Sequence, residues 1–326
     1  MASGQERILR RRIRSIDATK KITRAMELIA ASRIVRAQAR VRAARPYSDK
    51  VTAVIANLAS AGGEADHPLL REPAEVAKVA YVVVAADRGL CGGYNNNVLR
   101  ATERAIAADA AEGRDYELVL SGRKALGYFR FRDYRIAAGF EGFSDQPSYA
   151  DAQQIAAAAT DLFENGCQRV MLAYTQFHSM GNQSVAIVPF MPLDTGELSD
   201  GDPGPDGGAA AGGPAGGYEF EPEPAVILER LLPRYAEARL YSAVLEASAS
   251  EHAARQRAMK AATDNAEDLK TNLTRVMNRA RQDAITTEIM EIVGGAEALS
   301  QTAGGEVDLL SDTIEARTAN LFRARE

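Results

Sequence analysis

The sequence of residues 225–299 is AVILERLLPRYAEARLYSAVLEASASEHAARQRAMKAATDNAEDLKTNLTRVMNRARQDAITTEIMEIVGGAEAL. It contains one proline, Pro233, and no glycine before Gly294. A helix of roughly 75 residues would be about 110 Å long, whereas a domain the size of the preceding segment has a radius of gyration of roughly 15 Å. That domain cannot enclose such a helix, so the sequence predicts a projecting helix that needs a partner.

The N-terminal segment supplies a matching heptad pattern. Steps of three and four alternate along residues 34–58, which is the a/d pattern of a coiled coil. The residues of this stripe are Ile34, Ala37, Val41, Ala44, Ser48, Val51, Ile55 and Leu58. A second stripe, slightly out of phase, contains Ile22, Met26 and Ile29. Pro46 predicts a kink or a short break, and the Ala-Gly-Gly of residues 61–63 predicts the end of the helix.

Strand-like and helix-like segments alternate between these two helices. Predicted strands cover residues 79–85, 117–120, 134–137, 169–174 and 184–190, and predicted helices cover residues 97–111, 122–129 and 149–163. The first strand is apolar on both faces, which is typical of a buried parallel strand. The alternation predicts an open, mostly parallel sheet with helices packed on its faces.

Residues 194–224 differ in composition from the rest of the chain. They are rich in Gly and Pro and contain eight acidic residues and no basic one. Such a segment cannot bury enough apolar surface to offset the entropy of ordering it, so it is predicted to be a flexible acidic loop. An unspecialised surface insertion and a regulatory segment are both compatible with this composition.

Charge narrows the choice of partner. The whole chain has a net charge of −5, yet residues 1–50 hold fourteen Arg or Lys residues against four acids. Nucleic acid and an acidic protein surface are both candidate partners for such an arm. Tyr47 is the only aromatic residue before Tyr81. Because stacking on bases needs aromatic side chains, the acidic protein surface is favoured and nucleic-acid binding is not.

The sequence does not favour several kinds of site. Cys91 and Cys167 lie far apart, which suggests neither a disulfide framework nor a metal site. No segment approaches the ~18 uncharged apolar residues of a membrane span, and the charged N-terminus lacks the apolar stretch of a secretory signal. The chain is therefore expected to be cytosolic, or peripheral to a membrane through another protein.

The run DRGLCGGYN at residues 87–95 follows the first predicted strand. Its glycines fit neither a dinucleotide-binding nor a Walker spacing, so a tight strand-to-helix turn is favoured. Cys91 beside Arg88 could be a reactive thiol, but no histidine stands at a spacing that suggests a base, and His252 is predicted to be solvated. The absence of a convincing catalytic constellation favours a structural or mechanical role.

The middle of the C-terminal helix predicts a weakly adhesive surface. Between Ser250 and Glu267 only Met259 is large and apolar, and the other residues are mostly Ala, Ser, Thr and charged residues. This composition has high helix propensity but offers little apolar surface for packing. A solvent-exposed single helix would explain the same composition equally well.

Four short motifs carry a family resemblance. Residues 21–33, KITRAMELIAASR, closely resemble the N-terminal signature of the gamma subunit of the F-type ATP synthase, and residues 87–95 resemble its second motif. Residues 259–266, MKAATDNA, and residues 278–286, NRARQDAIT, resemble its C-terminal signatures, which end in EIVGGA at residues 291–296. The matches occur in the family's order, which is more specific than any single short motif.

The resemblance implies a rotor shaft and its architecture. The expected fold is α/β plus coiled coil: the terminal helices form an antiparallel coiled coil, and a Rossmann-like open α/β domain forms a foot between them. The expected segments are residues 1–63 (coiled-coil helix), 64–193 (foot), 194–224 (acidic loop), 225–300 (coiled-coil helix) and 301–326 (tail). The expected partners are the alpha and beta subunits as a hexameric sleeve, the epsilon subunit and the c-subunit ring.

The resemblance also implies the function and a set of contact residues. Proton flow turns the c ring, and the shaft forces the beta subunits through their binding states, with no active site, cofactor or metal of its own. The expected location is the cytoplasmic face of the cell membrane, with membrane contact only through the c ring. The expected contacts with the sleeve are Lys21, Arg24, Met26, Arg255, Arg281, Gln282 and Thr286, and the expected motif turn contains Asp87, Arg88, Gly89, Gly92 and Gly93.

Two segments depart from the family, and two rival functions stay open. The acidic loop is unusual, and so is the tail, because the family usually ends near Leu299. Chloroplast-type members carry a closely spaced cysteine pair; Cys91 and Cys167 are not such a pair, so no thiol switch is expected. The rivals are a non-rotary coiled-coil adaptor and a small-molecule enzyme built on the α/β domain, and the order of the motifs argues against both.

Overall fold

The computed structural model describes residues 2–60, 68–70, 73, 75–193 and 223–302. The predicted helix end at residues 61–63 lies outside the described residues. So do residues 194–222 of the predicted acidic loop and residues 303–326 of the predicted tail.

The described residues form helices and strands in the predicted alternation. The α-helices are α1 (Ala2–Ser60), α2 (Tyr94–Ala111), α3 (Arg123–Phe131), α4 (Tyr149–Glu164) and α5 (Pro224–Thr302), with a short 3-10 helix at Pro68–Leu70. The strands are β1 (Lys78–Val84), β2 (Asp115–Ser121), β3 (Ile136–Phe140), β4 (Arg169–Phe177) and β5 (Gln183–Met191). The two long terminal helices and the α/β segment between them are confirmed.

The sheet is mixed, with strand order β3-β2-β1-β4-β5. Strands β1 to β4 run parallel to one another, and β5 pairs with β4 in the antiparallel direction. A parallel neighbour needs a crossover of a dozen or more residues, and only residues 178–182 separate β4 from β5. The prediction of a mostly parallel sheet is therefore confirmed, and the short connection accounts for the one antiparallel edge.

Side chains alternate across β1, so the sheet has a core on each face. One core packs β1 residues Ala80, Val82 and Val84 against α1, α4 and α5, and its members include Ile55, Leu58, Ile155, Leu232 and Leu240. The other core packs the odd-numbered β1 residues against α2 and α3 and includes Val98, Ile106, Leu126 and Phe129. Both terminal helices therefore help to cover one face of the sheet.

The chain divides into two compact units. The larger unit is residues 23–262, and the smaller unit combines residues 1–22 with residues 263–326. Within the described part of the smaller unit, Lys20 forms an ion pair with Glu267, and the Lys270 Nζ atom lies 2.7 Å from an Asp17 carboxylate oxygen. These ion pairs join the first part of α1 to α5.

The buried face of α1 corrects one prediction. All eight residues of the heptad stripe at residues 34–58 are buried or half-buried. However, Ile22 is 61% exposed and Ile29 is 54% exposed. The prediction that the second, out-of-phase stripe packs against a partner helix is therefore wrong for the chain alone. The buried positions there are Thr23, Glu27 and Ala30, which continue the heptad in phase. Polar side chains at these positions concealed the pattern.

Pro46 lies inside α1, which continues without interruption on both sides. A short break at this position is therefore wrong, and the alternative, a kink, stays a prediction. Proline removes one backbone hydrogen bond and strains the preceding turn. The apolar residues that follow, Val51 and Ile55, are buried in the core, so tertiary packing holds the helix where local preference would end it.

Candidate functional site at the motif turn

Helix α5 occupies the crevice where an open α/β sheet usually binds its ligand. Strand β1 lies between β2 and β4, so the chain order reverses beside β1, and ligands of such sheets bind outside the carboxyl ends of the strands at that point. Here the Ser250 hydroxyl on α5 donates to the Thr175 carbonyl oxygen on β4 at 3.1 Å. The Tyr94 hydroxyl donates to the Ala247 carbonyl oxygen at 3.1 Å.

The motif turn, residues 87–93, connects β1 to α2 at this crevice. Gly92 has a φ angle of +59°, which glycine adopts without the steric cost that other residues meet. Leu90 has a φ angle of +62° and is 60% exposed. The Asn95 side-chain oxygen accepts a hydrogen bond from the Ala86 N–H at 2.9 Å, which closes the turn from its α2 side.

Asp87 fixes the turn to two neighbouring segments. Its carboxylate accepts hydrogen bonds from the backbone N–H groups of Arg123, at the start of α3, and Ser144, in the β3–α4 loop. Burial alone would raise the pKa of Asp87, but backbone hydrogen bonds, including one from Gly142, outweigh it and lower the pKa. Asp87 therefore stays ionised and acts as a structural acceptor.

Arg255 binds α5 to the motif turn. One of its guanidinium nitrogens lies 2.7 Å from a Glu251 carboxylate oxygen one helical turn earlier. The same nitrogen donates to the Gly89 carbonyl oxygen at 3.3 Å and to the Arg88 carbonyl oxygen at 3.5 Å. The side chains of Arg255 and Glu251 are 9% and 1% exposed, so this ion pair is shielded from water.

Asp145, in the β3–α4 loop, extends the network to α1. The Arg33 guanidinium lies 2.7 Å from its carboxylate, and the Arg88 guanidinium lies 3.6 Å away. The His252 Nδ1 atom lies 3.4 Å from an Arg255 nitrogen, which can only donate, so we assign the ring proton to Nε2. That nitrogen lies 3.4 Å from the Asp145 carbonyl oxygen.

The network shows that two predictions about α5 are wrong. Ser250, Glu251 and His252 are all 0% exposed, so His252 is not solvated and the start of the stretch from Ser250 to Glu267 is not a weakly adhesive surface. Within the larger unit it packs on β4, the β3–α4 loop and the motif turn, through hydrogen bonds of Ser250, His252 and Arg255. A search for large apolar residues misses this kind of contact, because buried polar groups pack where their hydrogen bonds or charges are satisfied.

Burial shifts the pKa values of His252 and Glu251, the two titrating groups of α5 in this network. Desolvation lowers the pKa of His252 to about 4, because the charged imidazolium is disfavoured away from water and beside Arg255. Desolvation raises the pKa of Glu251, and the Arg255 charge opposes that rise. His252 is therefore neutral at pH 7 in the folded chain.

We expect His252 to make the folded chain sensitive to acid. Between pH 6.5 and 4 the unfolded chain binds a proton at His252 that the folded chain does not, so stability falls as the pH drops. The loss is about 1.4 kcal/mol per pH unit, or about 3 kcal/mol over this window. Urea denaturation of the wild-type chain and His252→Gln should give free energies of unfolding whose difference changes by this amount.

Glu251 is present in both chains of that comparison, so its own titration largely cancels. The exposed His178→Gln substitution is the matched control for replacing a histidine elsewhere. A constant difference between the wild-type and His252→Gln curves from pH 6.5 to 4 would contradict the assignment of a neutral, buried His252.

Asp145, Glu251 and His252 also have a spacing that could hold a cation. Their candidate ligand atoms lie within 4.8 Å of one another. However, Arg33 and Arg255 form close ion pairs with the two carboxylates, and both ring nitrogens of His252 face hydrogen-bonding partners. The donor set therefore fits an ion-pair network better than a metal centre.

Both cysteines are buried and free. Burial raises the pKa of Cys91 and of Cys167, which keeps the thiols protonated and weakly nucleophilic. The Cys91 sulfur also accepts a hydrogen bond from the Asn95 side-chain nitrogen at 3.1 Å. This environment does not favour the reactive-thiol alternative for Cys91. The expected lack of a thiol switch stays a prediction.

The structure divides the expected sleeve-contact residues into two groups. Arg255 is 7% exposed and belongs to the network at the motif turn. The others lie on α1 (Lys21, Arg24 and Met26) and on α5 (Arg281, Gln282 and Thr286), and all except the half-buried Met26 are exposed. Lys21 pairs with Asp17 and Arg24 with Glu27, and the Thr286 hydroxyl donates to the Gln282 carbonyl oxygen.

Sequence reasoning missed Arg33, Asp145, Glu251 and His252 as members of one site. A local signal existed for part of it: Glu251 and Arg255 are four residues apart on a helix, the spacing at which opposite charges pair. Nothing local pointed to Asp145, which lies more than a hundred residues before its α5 partners.

Comparison with known proteins identifies the family. A family model described as ATP synthase matches residues 5–299. The ATP synthase gamma chain of Frankia casuarinae is 51% identical over 303 residues, which cover 91% of this chain and 99% of that protein. The chain belongs to the ATP synthase gamma-chain family. A gamma chain from Kineococcus radiotolerans is 46% identical over 305 residues, covering 92% of this chain and 98% of that protein.

Solved structures show the same fold at lower identity. A chain of the Euglena gracilis mitochondrial ATP synthase, from a structure of OSCP, F1 and c-ring, has a TM-score of 0.64 at 19% identity and covers 94% of this chain and 98% of that one. A central stalk and c-ring structure from Tetrahymena thermophila gives a TM-score of 0.56 at 22% identity, covering 74% and 99%. The predicted gamma-chain family is thus confirmed. None of the helices in the described part of the chain has the length and hydrophobicity of a membrane-spanning segment.

Proposed function

We propose that this gamma chain is the central-stalk rotor subunit of a proton-translocating F-type ATP synthase. In this role it transmits rotation of the c ring to the catalytic beta subunits and so couples proton flow to ATP synthesis. The observation that carries the proposal is the match to gamma chains along nearly their whole length, at about half identity. The fold shared with the central stalk and c-ring structure from Tetrahymena thermophila is consistent with this role.

An antiparallel coiled coil of α1 and α5 is part of the proposal. Asp17 pairs with Lys270, and Lys20 pairs with Glu267. A step of three residues forward on α1 thus matches a step of three residues backward on α5, which is the relation expected of antiparallel helices. The proposed coiled-coil segments, within the described residues, are residues 2–60 and 225–300, as the resemblance implies.

The proposed role needs no active site in this chain. The crevice at the carboxyl ends of β1 and β4, where an α/β enzyme would bind its substrate, is occupied by α5 through Ser250 and Arg255. Nucleotide chemistry is therefore assigned to the alpha and beta subunits. This arrangement also disfavours the small-molecule enzyme considered from the sequence.

Exposed apolar residues near the C-terminal end of α5 are evidence that a partner protein surrounds this part of the helix. Ile285, Ile289, Ile292 and Leu299 repeat at helical spacing and are at least half exposed in the chain alone. Contiguous exposed apolar residues mark protein interaction sites, and the proposed occupant is the sleeve of alpha and beta subunits. The epsilon subunit and the c ring are the proposed partners of the foot, at the cytoplasmic face of the cell membrane.

The rotor role predicts that Arg281→Ala with Gln282→Ala impairs coupling without unfolding the helix. Both side chains are exposed on α5, so their removal leaves no cavity, and by resemblance they meet an acidic loop of a beta subunit. We expect ATP-driven proton pumping by the reconstituted complex to fall severalfold while helix content by circular dichroism is unchanged. Asn272→Ala with Arg275→Ala, also exposed on α5, is the matched control. Normal pumping by the double variant would count against the assignment.

Reconstitution separates the rotor from the adaptor. We expect the purified chain mixed with alpha and beta subunits to form a complex with one copy of this chain, whose ATPase activity depends on it. Failure to assemble would favour a non-rotary coiled-coil adaptor.

A further inference from the structure

A cavity of about 520 Å³ lies between α1, α4 and α5 in the larger unit. Ala44 and Ser48 of α1 line it, together with Ala238 and Ser242 of α5. The first two are consecutive members of the α1 heptad stripe, where larger side chains would fill the space between helices. The small residues therefore leave room for a ligand, within the roughly 300–1,000 Å³ range of small-molecule sites.

The Glu237 carboxylate lines this cavity. Glu237 accepts hydrogen bonds on one oxygen from the Tyr149 hydroxyl at 2.8 Å and from the Gln153 side-chain nitrogen at 3.0 Å. Both donors are neutral, so they orient the carboxylate without neutralising its charge. Arg234 also lines the cavity, but across the described residues, α1 included, no basic side chain forms an ion pair with Glu237.

Three tyrosine rings surround the same space. Tyr149 and Tyr241 meet edge to face with ring centres 5.6 Å apart, and Tyr47 lines the cavity and is 51% exposed. Burial and then the hydrogen bond to Glu237 raise the pKa of Tyr149, so its hydroxyl stays protonated and continues to donate. Aromatic faces attract cations, and groups of aromatic rings recognise ammonium ligands.

We propose that this cavity binds an organic cation, with a guanidinium or ammonium group against Glu237 and the tyrosine rings. An anionic ligand would meet the Glu237 charge with only Arg234 to offset it, and a neutral apolar ligand would leave the carboxylate desolvated and unpaired. A cationic group satisfies the carboxylate and the ring faces together.

Benzamidinium chloride is a suitable probe, with benzamide as its neutral isostere. We expect NMR titration of the full chain to show saturable shifts with benzamidinium and none with benzamide. Glu237→Gln keeps an acceptor for Tyr149 but removes the charge, and should raise the dissociation constant at least about tenfold. Tyr47→Ala, at an exposed ring, should weaken binding without affecting the fold. Glu229→Gln, exposed on the same helix, is the matched control and should bind as the wild type does.

The source of the cation is distinguished in the assembled complex. If benzamidinium binding is lost when the chain joins its partner subunits, a Lys or Arg side chain of a partner occupies the cavity. If binding persists, the ligand is a free organic cation. Equal binding of benzamide and benzamidinium, an unchanged affinity in Glu237→Gln, or no saturable binding by the isolated chain would each overturn the proposal. None of these results depends on whether the chain rotates.

Discussion

Replacing Arg255 by Met is expected to lower the free energy of unfolding by about 3–5 kcal/mol, because it leaves the Glu251 charge buried without a partner. Both side chains are almost fully buried, so water cannot replace the lost guanidinium. The substitution also removes the hydrogen bonds to the Arg88 and Gly89 carbonyl oxygens. Urea denaturation of the full chain, followed by circular dichroism, measures the loss.

Two further variants separate the charge effect from the loss of packing. In Glu251→Gln with Arg255→Met no unpaired charge stays buried, so the double variant should recover part of the stability lost in Arg255→Met. Lys260→Ala, exposed on the same helix, should change stability by less than about 0.5 kcal/mol. A double variant less stable than Arg255→Met would contradict the interpretation of Glu251 as an ionised, buried partner.

Gly122→Ala is expected to be the most damaging Gly→Ala substitution among the described glycines of the α/β segment. A Cβ atom at Gly122 would lie 2.1 Å from the Ala85 carbonyl oxygen and 2.7 Å from its carbonyl carbon. Both atoms are backbone of the segment that leaves β1, so they cannot move aside as a flexible side chain would. The φ angle of +101° adds conformational strain. Strain and overpacking together should cost about 3 kcal/mol or more.

Gly113→Ala is the matched control, because it adds the same methyl group at a positive φ angle but causes no steric clash. Its φ angle is +78°, and an added Cβ would meet nothing within 4 Å. Gly113→Ala should therefore report the conformational strain alone, at about 1 kcal/mol. The midpoint of urea denaturation should fall much further for Gly122→Ala than for Gly113→Ala. Equal shifts would show that the close approach of residue 122 to β1 is relieved at little cost.

Much of the fold could be predicted because its signals are local. The apolar, β-branched run of β1 and the heptad stripe of α1 repeat with the period of the element they form. The predicted ends of the helices and strands were less accurate than their existence and type. Strand β3 begins at Ile136 and not at Tyr134, because Asp133 adopts a φ angle of +56° and the Tyr134 N–H bonds back to the Phe129 carbonyl oxygen. Those contacts are set by α3, which sequence patterns do not reveal.

The candidate site was harder to predict, because its members meet only in three dimensions. The motif turn was visible from its glycines, whereas its attachment to α5 was not. Arg255 was expected to contact the sleeve, and His252 was expected to be solvated; the structure places both among carbonyl oxygens and charges of distant segments. No spacing rule connects residues so far apart, and polar residues on a long helix usually face water.

The position of α5 in the sheet crevice has a consequence for how the chain folds. Tyr94 is 153 residues before Ala247, and Gly89 is 166 residues before Arg255. A ribosome must therefore synthesise most of the polypeptide before the α/β domain can make its last contacts. Contacts of such high sequence separation form slowly, because a long loop must close first. The nascent domain would keep an open cleft until its own C-terminal helix arrives to complete it.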